Sequence, residues 1–250
     1  MKRIDPPYKS GFPTNRRIDN YEGGYRVLAT ALVYFSKQRI RGTLGCATVL
    51  IASFAFAAPK VDTIGALNDA SVPDPVKKVL TPHGYRVTLD DGSTVELWPR
   101  AQVLRGSKAR EDAAYSLALS TFAGVIHFEK NTRDYRGDAI FAGFYNLRYG
   151  LQPNDGDHLG TSPTPDFLLL VPPAADTDPD HTFDFTALVD LSRQATRQKH
   201  PGPLNLVPAD AKEFPSVTTD MDDHTILFFK VETQSGDLPM GLVVKGTTTQ

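Results

Sequence analysis

The sequence contains very little cysteine: Cys46 is the single cysteine among 250 residues. It lies in an amino-terminal segment that has the pattern of a cleavable export signal. Cleavage would leave a mature chain without thiols, which excludes disulfide bonds, thiolate metal sites and cysteine nucleophiles. The mature chain must therefore gain its stability from an apolar core.

Motifs of the common catalytic loops are also absent from the sequence. It has no GxSxG nucleophile elbow, no GxxxxGK[ST] phosphate loop, no GxGxxG opening a helix and no HExxH zinc motif. A pair of carboxylates for glycoside hydrolysis cannot be recognised from spacing alone. The sequence thus favours a protein that is not an enzyme.

Basic residues are scarce after the amino-terminal segment. Residues 1–57 hold nine of the 27 lysines and arginines and three of the 29 acidic residues. Residues 58–250 therefore hold 18 basic and 26 acidic residues, a net charge of −8. Nucleic acid is therefore excluded as an expected partner, because binding phosphates requires a basic surface.

A short apolar run follows a basic flank near the amino terminus. Lys37, Arg39 and Arg41 precede residues 44–58, which end in the small-x-small site of residues 55–57. This pattern predicts a signal peptide over 37–57, cleaved after Ala57, and a periplasmic or secreted product with no stable membrane span. The alternative is an uncleaved anchor, although 15 residues are fewer than a spanning helix needs. Residues 1–36 would be a dispensable leader or the result of a mis-called start.

Turn residues are plentiful, with 19 glycines and 19 prolines, and the chain between them alternates in polarity. Alternation on both sides of Asp91-Gly92 predicts a hairpin over 85–98, and a second hairpin is predicted near the carboxyl terminus. The apolar run 167–171 predicts a strand buried on both faces. One short helix is predicted near 185–198, after the N-cap Asp184.

These patterns predict an all-β fold. We expect about eight strands in an antiparallel two-sheet sandwich that forms a single domain over 84–250. Residues 58–83 are rich in proline and aspartate without a sustained period, and they predict an extended lead-in to that domain.

Five strings in the sequence stand out: DYRG at 134–137, AGFYNLRYGLQP at 142–153, DGDH at 155–158, DFLLL at 166–170 and LPMGLVV at 238–244. They look like the strings of a family of exported bacterial β-rich proteins of unknown function. The chain resembles this family over residues 84–247. The resemblance implies a periplasmic or secreted β domain and supplies no catalytic residues.

Three acidic clusters each end in a histidine, at 154–158, 176–181 and 220–224. Carboxylates at alternate loop positions suit Ca²⁺, and an added imidazole suits Zn²⁺, so Asp155, Asp157 and His158 are the first candidates for a metal site. The alternative is that aspartate and asparagine occupy these loops because they favour turns. We favour turns and expect no cofactor.

A ligand site is the other candidate, at the end of the strand predicted over 144–149. Arg148, Tyr149 and His158 could bind a carboxylate or a sugar through a guanidinium fork and an aromatic face. The alternative is a surface arginine paired with a neighbouring acid, since alternation places Arg148 on the face opposite Tyr145 and Tyr149.

The sequence therefore predicts an exported, non-catalytic β protein. It would bind a small molecule, a glycan or an envelope component, or play a structural role in the envelope. The alternative is a metal-dependent hydrolytic or carbohydrate-active enzyme that uses the acidic-histidine loops, and it requires those three loops to meet.

Overall fold

Short strands separated by turns make up most of the chain in this computed structural model, which describes residues 58–103, 110–154 and 162–247. The two α-helices are α1 (Asp74–Lys78) and α2 (Phe185–Thr196). The strands are β1 (Lys60–Ile64), β2 (Gly84–Thr88), β3 (Thr94–Pro99), β4 (Phe122–Phe128), β5 (Thr132–Arg133), β6 (Ala139–Ile140), β7 (Gly143–Leu151), β8 (Asp166–Val171), β9 (Pro203–Val207), β10 (Ser216–Thr219), β11 (Thr225–Thr233) and β12 (Gly236–Lys245).

Ten of these strands form one antiparallel sheet, in the order β1-β2-β3-β4-β7-β8-β9-β12-β11-β10. The sheet curls until β1 approaches β10, so it is nearly barrel-like. The mostly β, antiparallel fold is confirmed, but the eight-stranded two-sheet sandwich is wrong. Period-two alternation shows only that one face of each strand is buried. Two facing sheets and one sheet that curls upon itself both bury one face, so alternation does not distinguish between them.

Local elements follow the sequence closely. The first predicted hairpin is β2–β3, with Tyr85 paired to Leu97, and the second is β11–β12, with Thr233 paired to Gly236. The predicted helix is α2, and the Asp184 carboxylate accepts a hydrogen bond of 2.8 Å from the Ala187 amide, as an N-cap does. These turns and caps depend on neighbouring residues only.

The segment 58–83 contributes a strand and several buried apolar side chains to the fold. Its strand β1 pairs with β2 along its whole length, from Lys60 opposite Thr88 to Ile64 opposite Gly84. Its other apolar side chains pack on the outer face of β3 and β4 in one cluster, formed by Leu67, Val72, Val76, Leu80, Trp98, Phe122 and Val125. The apolar residues of 58–83 are irregularly spaced between prolines and aspartates, so the sequence of this segment has no helical or strand period.

The interior of the curled sheet is filled with side chains. Alternate residues of nearly every strand point inward and are almost completely buried, among them Leu97, Ile126, Leu147, Leu168, Leu204, Leu227 and Leu242. Each such side chain contributes roughly 1.5–3 kcal/mol on leaving water, so the interior supplies most of the stability.

The outer face is covered in separate patches, which explains why some strands are apolar throughout. Helix α2 packs Leu188 against Phe167, Leu169 and Val171 of β8. Elsewhere the segment around Phe214 covers the outer side chains of β11 and β12. All six residues of β8 are buried, as predicted for a strand covered on both faces.

None of the helices in the described ranges has the length and the apolar character needed to cross a membrane.

Candidate functional site

Arg148 points outward from β7 but is buried, with about 1% of its side chain exposed. Its Nε and Nη2 donate to the two carboxylate oxygens of Asp176 at 2.8 and 2.6 Å. Nη2 also donates to the Asp178 carbonyl at 2.8 Å, and Nη1 donates to the carbonyls of Ser120 and His181 at 2.9 and 2.8 Å. A guanidinium has five N–H groups, so all of its donors are used within the fold.

Two aromatic rings complete the surroundings of this guanidinium. Its central carbon lies 5.4 Å from the ring centre of Phe122 and 5.2 Å from that of Phe183. Arg148 is thus paired with an acid, as the alternative predicted, but the pair is buried and does not lie on the surface. The proposed contact with a carboxylate or sugar also finds no unused donor, although Arg148 lines a small cavity of about 210 Å³.

The acidic cluster at 176–181 is explained by the same arginine. Asp176 is its buried partner, and the Asp178 carboxylate accepts a hydrogen bond of 3.0 Å from the Asp180 amide, which closes a turn. Asp180 forms an ion pair with Arg100. Each carboxylate of this cluster thus has a role in holding the loop against the sheet.

Tyr149 points into the sheet and belongs to a buried network. Its hydroxyl donates to the Asp166 carboxylate at 2.6 Å, and that carboxylate also accepts from the amides of Ala114 and Tyr115 at 2.8 and 3.1 Å. Burial and the bond to Asp166 raise the pKa of Tyr149, and burial raises the pKa of Tyr115 to about 12. Both phenols therefore stay protonated and act as donors within the core.

The acidic cluster at 220–224 forms the turn between β10 and β11. The Asp220 carboxylate accepts from the amides of Asp222 and His224, both at 2.9 Å, and lies 3.0 Å from His224 Nδ1. Burial opposes ionisation of Asp220, but these bonds outweigh it and lower its pKa. The His224 ring stacks on Tyr135 with 4.3 Å between ring centres. This cluster is the turn that its composition favours.

Only two of the three acidic-histidine clusters, 176–181 and 220–224, lie fully within the described residues. Asp155, Asp157 and His158 lie outside the described residues, so their metal role stays a prediction. No group of three or more metal-ligating side chains occurs within the described ranges.

A larger cavity, of about 340 Å³, lies between α2 and the outer face of β8 and β9. We call it the α2–β8 cavity. Phe167 and Leu169 of β8 and Phe185 and Val189 of α2 form its apolar floor. Its volume is large enough for a small ligand, since the binding sites of such molecules have volumes of roughly 300 Å³ or more.

Charged side chains surround this floor. Arg136 and Asp138 come from the β5–β6 turn, Arg193 from the last turn of α2, and Lys199 and His200 from the segment that follows α2. The buried Asp134 carboxylate also lines the cavity, and burial raises its pKa. An apolar floor with polar groups at its edge is the usual composition of a small-molecule site.

Sequence reasoning did not select these residues. The helical period of residues 185–196 predicts the apolar face of α2. It does not show that this face packs on β8 and β9, which precede and follow α2 in the sequence. The DYRG string contains Asp134 and Arg136, yet nothing in the string itself places them beside α2. A cavity that is lined by four separate segments of the chain cannot be recognised from any one of them.

No protein-family model, curated protein or solved structure matches this chain. The resemblance to exported β-rich proteins therefore stays a prediction, and any function has to be inferred from the geometry of the described residues.

Proposed function

We propose that this chain is an exported, non-catalytic protein that binds a small, largely apolar molecule outside the cytoplasm. The observation that carries this proposal is the α2–β8 cavity, in which apolar side chains form a floor and charged side chains form an edge. The ligand would lie on the outside of the curled sheet, because the sheet's own interior is occupied by side chains.

The export part of the proposal is supported by the position of the first strand. Strand β1 begins at Lys60, three residues after the predicted cleavage site at Ala57. Cleavage there would leave β1 intact and would remove the basic and apolar segment, together with Cys46. The product would have the net charge of −8 counted above.

Export is tested at the cleavage site in the native cell. We expect the product to begin at Ala58, and Ala57→Arg to accumulate as an uncleaved precursor, because the peptidase pocket requires a small residue there. Mass measurement and amino-terminal sequencing provide the readout. Phe56→Leu is the matched control, since the middle position of the site tolerates large residues. A wild-type product that retains residues 37–57 would contradict this part of the proposal.

The binding part is supported by how the floor of the cavity is built. Phe167 and Leu169 are almost completely buried on β8, which lies within the sheet between β7 and β9. Val189 and Phe185 are only partly buried, so α2 leaves apolar surface toward the cavity. A ligand covering this surface would gain roughly 25 cal/mol for each Å² of apolar area removed from water.

Filling the cavity tests the binding part. We expect N-phenylnaphthylamine, a neutral apolar dye that fluoresces on leaving water, to bind the wild-type protein, and Val189→Phe to weaken that binding at least about tenfold. The larger ring would occupy the space that the dye needs. Gln194→Phe is the matched control, because it adds the same ring on an exposed position of α2 outside the cavity.

Fluorescence titration gives the affinities, and thermal unfolding checks that both variants are folded. Equal binding by the wild type and Val189→Phe would place the dye elsewhere, and no binding by the wild type would remove the support for a ligand site.

A further inference from the structure

The edge of the α2–β8 cavity carries basic side chains on backbone that is held in place. At the β5–β6 turn, the Asp134 carboxylate accepts from the amides of Arg136 and Asp138 at 2.9 and 2.8 Å. Gly137 takes the positive φ of +86° that this tight turn requires. The backbone of Arg136 is thus fixed before any ligand arrives.

The second basic segment, which follows α2, is held in the same way. Arg193 Nε donates to the Lys199 carbonyl at 2.7 Å, and the Thr196 hydroxyl donates to the His200 carbonyl at 2.7 Å. The Gly202 amide donates to the Ser192 hydroxyl at 2.9 Å. These bonds hold the main chain of residues 199–202, and Lys199 lines the cavity.

Of the three basic residues Arg136, Arg193 and Lys199 at this edge, only Arg193 forms an ion pair within the described part of the chain. Arg193 forms an ion pair of 2.7 Å with Asp190 on its own helix. Within the described part of the chain, neither Arg136 nor Lys199 forms an ion pair with any acid, although the chain beyond residue 57 has an excess of acidic residues. Among the described residues, Asp134 and Asp138 are the acids that line the cavity, and the Asp134 carboxylate accepts hydrogen bonds from two backbone amides.

We propose that the α2–β8 cavity selects anionic amphiphiles, whose apolar body lies on Phe167 and Val189 and whose acidic group lies between Arg136 and Lys199. This inference rests on the proposed binding function and specifies its ligand class. A guanidinium and an ammonium beside an apolar surface provide both halves of the recognition of a carboxylate, sulfonate or phosphate on a hydrocarbon body.

The test compares two dyes that share one ring system. Anilinonaphthalene sulfonate carries a sulfonate, and N-phenylnaphthylamine carries no charge. We expect the sulfonate to bind the wild-type protein about tenfold more tightly at low salt, since each partly exposed charge pair contributes up to about threefold to fivefold. Added salt should weaken only the sulfonate.

The double variant Arg136→Gln, Lys199→Gln removes the two cations and keeps polar side chains of similar length. It should bring the affinity for the sulfonate down to that for the neutral dye and leave the neutral dye unchanged. Lys78→Gln, Lys130→Gln is the matched control, because it removes the same charge from exposed positions away from the cavity.

Each outcome decides between the two proposals. Equal affinities of the wild type for both dyes, or a sulfonate affinity unchanged in the Arg136→Gln, Lys199→Gln variant, would overturn the anion inference and leave the proposed binding function standing. Failure of both dyes to bind would remove the binding function itself. Sulfonate binding that survives Val189→Phe would place the anion outside this cavity and would also overturn the inference.

Discussion

Arg148→Met should lower the free energy of unfolding by about 3–5 kcal/mol, because removing one partner leaves a buried charge without compensation. Asp176 is about 1% exposed and receives two of the six hydrogen bonds of the Arg148 side chain. The carbonyls of Ser120 and His181 would lose a donor at the same time. Urea unfolding followed by circular dichroism measures the change.

Two further variants separate charge from geometry at this position. Arg148→Lys keeps the charge but offers three donors from one point instead of a planar fork, so its loss should be smaller than that of Arg148→Met. Adding Asp176→Leu to Arg148→Met should recover part of the stability, because the unpaired carboxylate is then absent. A loss below about 1 kcal/mol in Arg148→Met would show that the ion pair does not hold the 176–181 segment.

Asp166→Ala should lower the free energy of unfolding by about 3–4 kcal/mol. Its carboxylate is buried and accepts from the Tyr149 hydroxyl and from the amides of Ala114 and Tyr115. Each buried donor left without an acceptor costs roughly 1–3 kcal/mol. Urea unfolding monitored by the intrinsic fluorescence of Trp98 and the tyrosines gives the value.

Tyr149→Phe is the matched control for this network. It removes one donor and leaves the two backbone amides bonded to Asp166, so it should cost only about 1 kcal/mol. Equal losses in Asp166→Ala and Tyr149→Phe would mean that the carboxylate does not bind the amides of Ala114 and Tyr115 in solution.

The sequence was sufficient for what depends on neighbouring residues. Alternation located β2, β3 and β7, the Asp184 cap located the start of α2, and a continuous apolar run located β8. The same pattern could not distinguish two facing sheets from one curled sheet, because both bury alternate side chains. Strand order is a property of pairings between distant segments.

The sites were harder to predict for the same reason. Composition indicated that the acidic clusters form turns, and in 176–181 and 220–224 the carboxylates do bond the local backbone. Nothing local showed that Arg148 would be buried, since its partner Asp176 lies 28 residues further along the chain. The α2–β8 cavity likewise combines segments whose proximity only the complete fold establishes.

The final strand occupies an inner position in the sheet, with β9 on one side and β11 on the other. Lys245, at its end, forms an ion pair with Asp90 beside the first hairpin. Because synthesis makes β12 after β9 and β11, the facing edges of those two strands have no partner until residues 236–245 fold between them. The order of the described sheet is therefore complete only when this strand is in place.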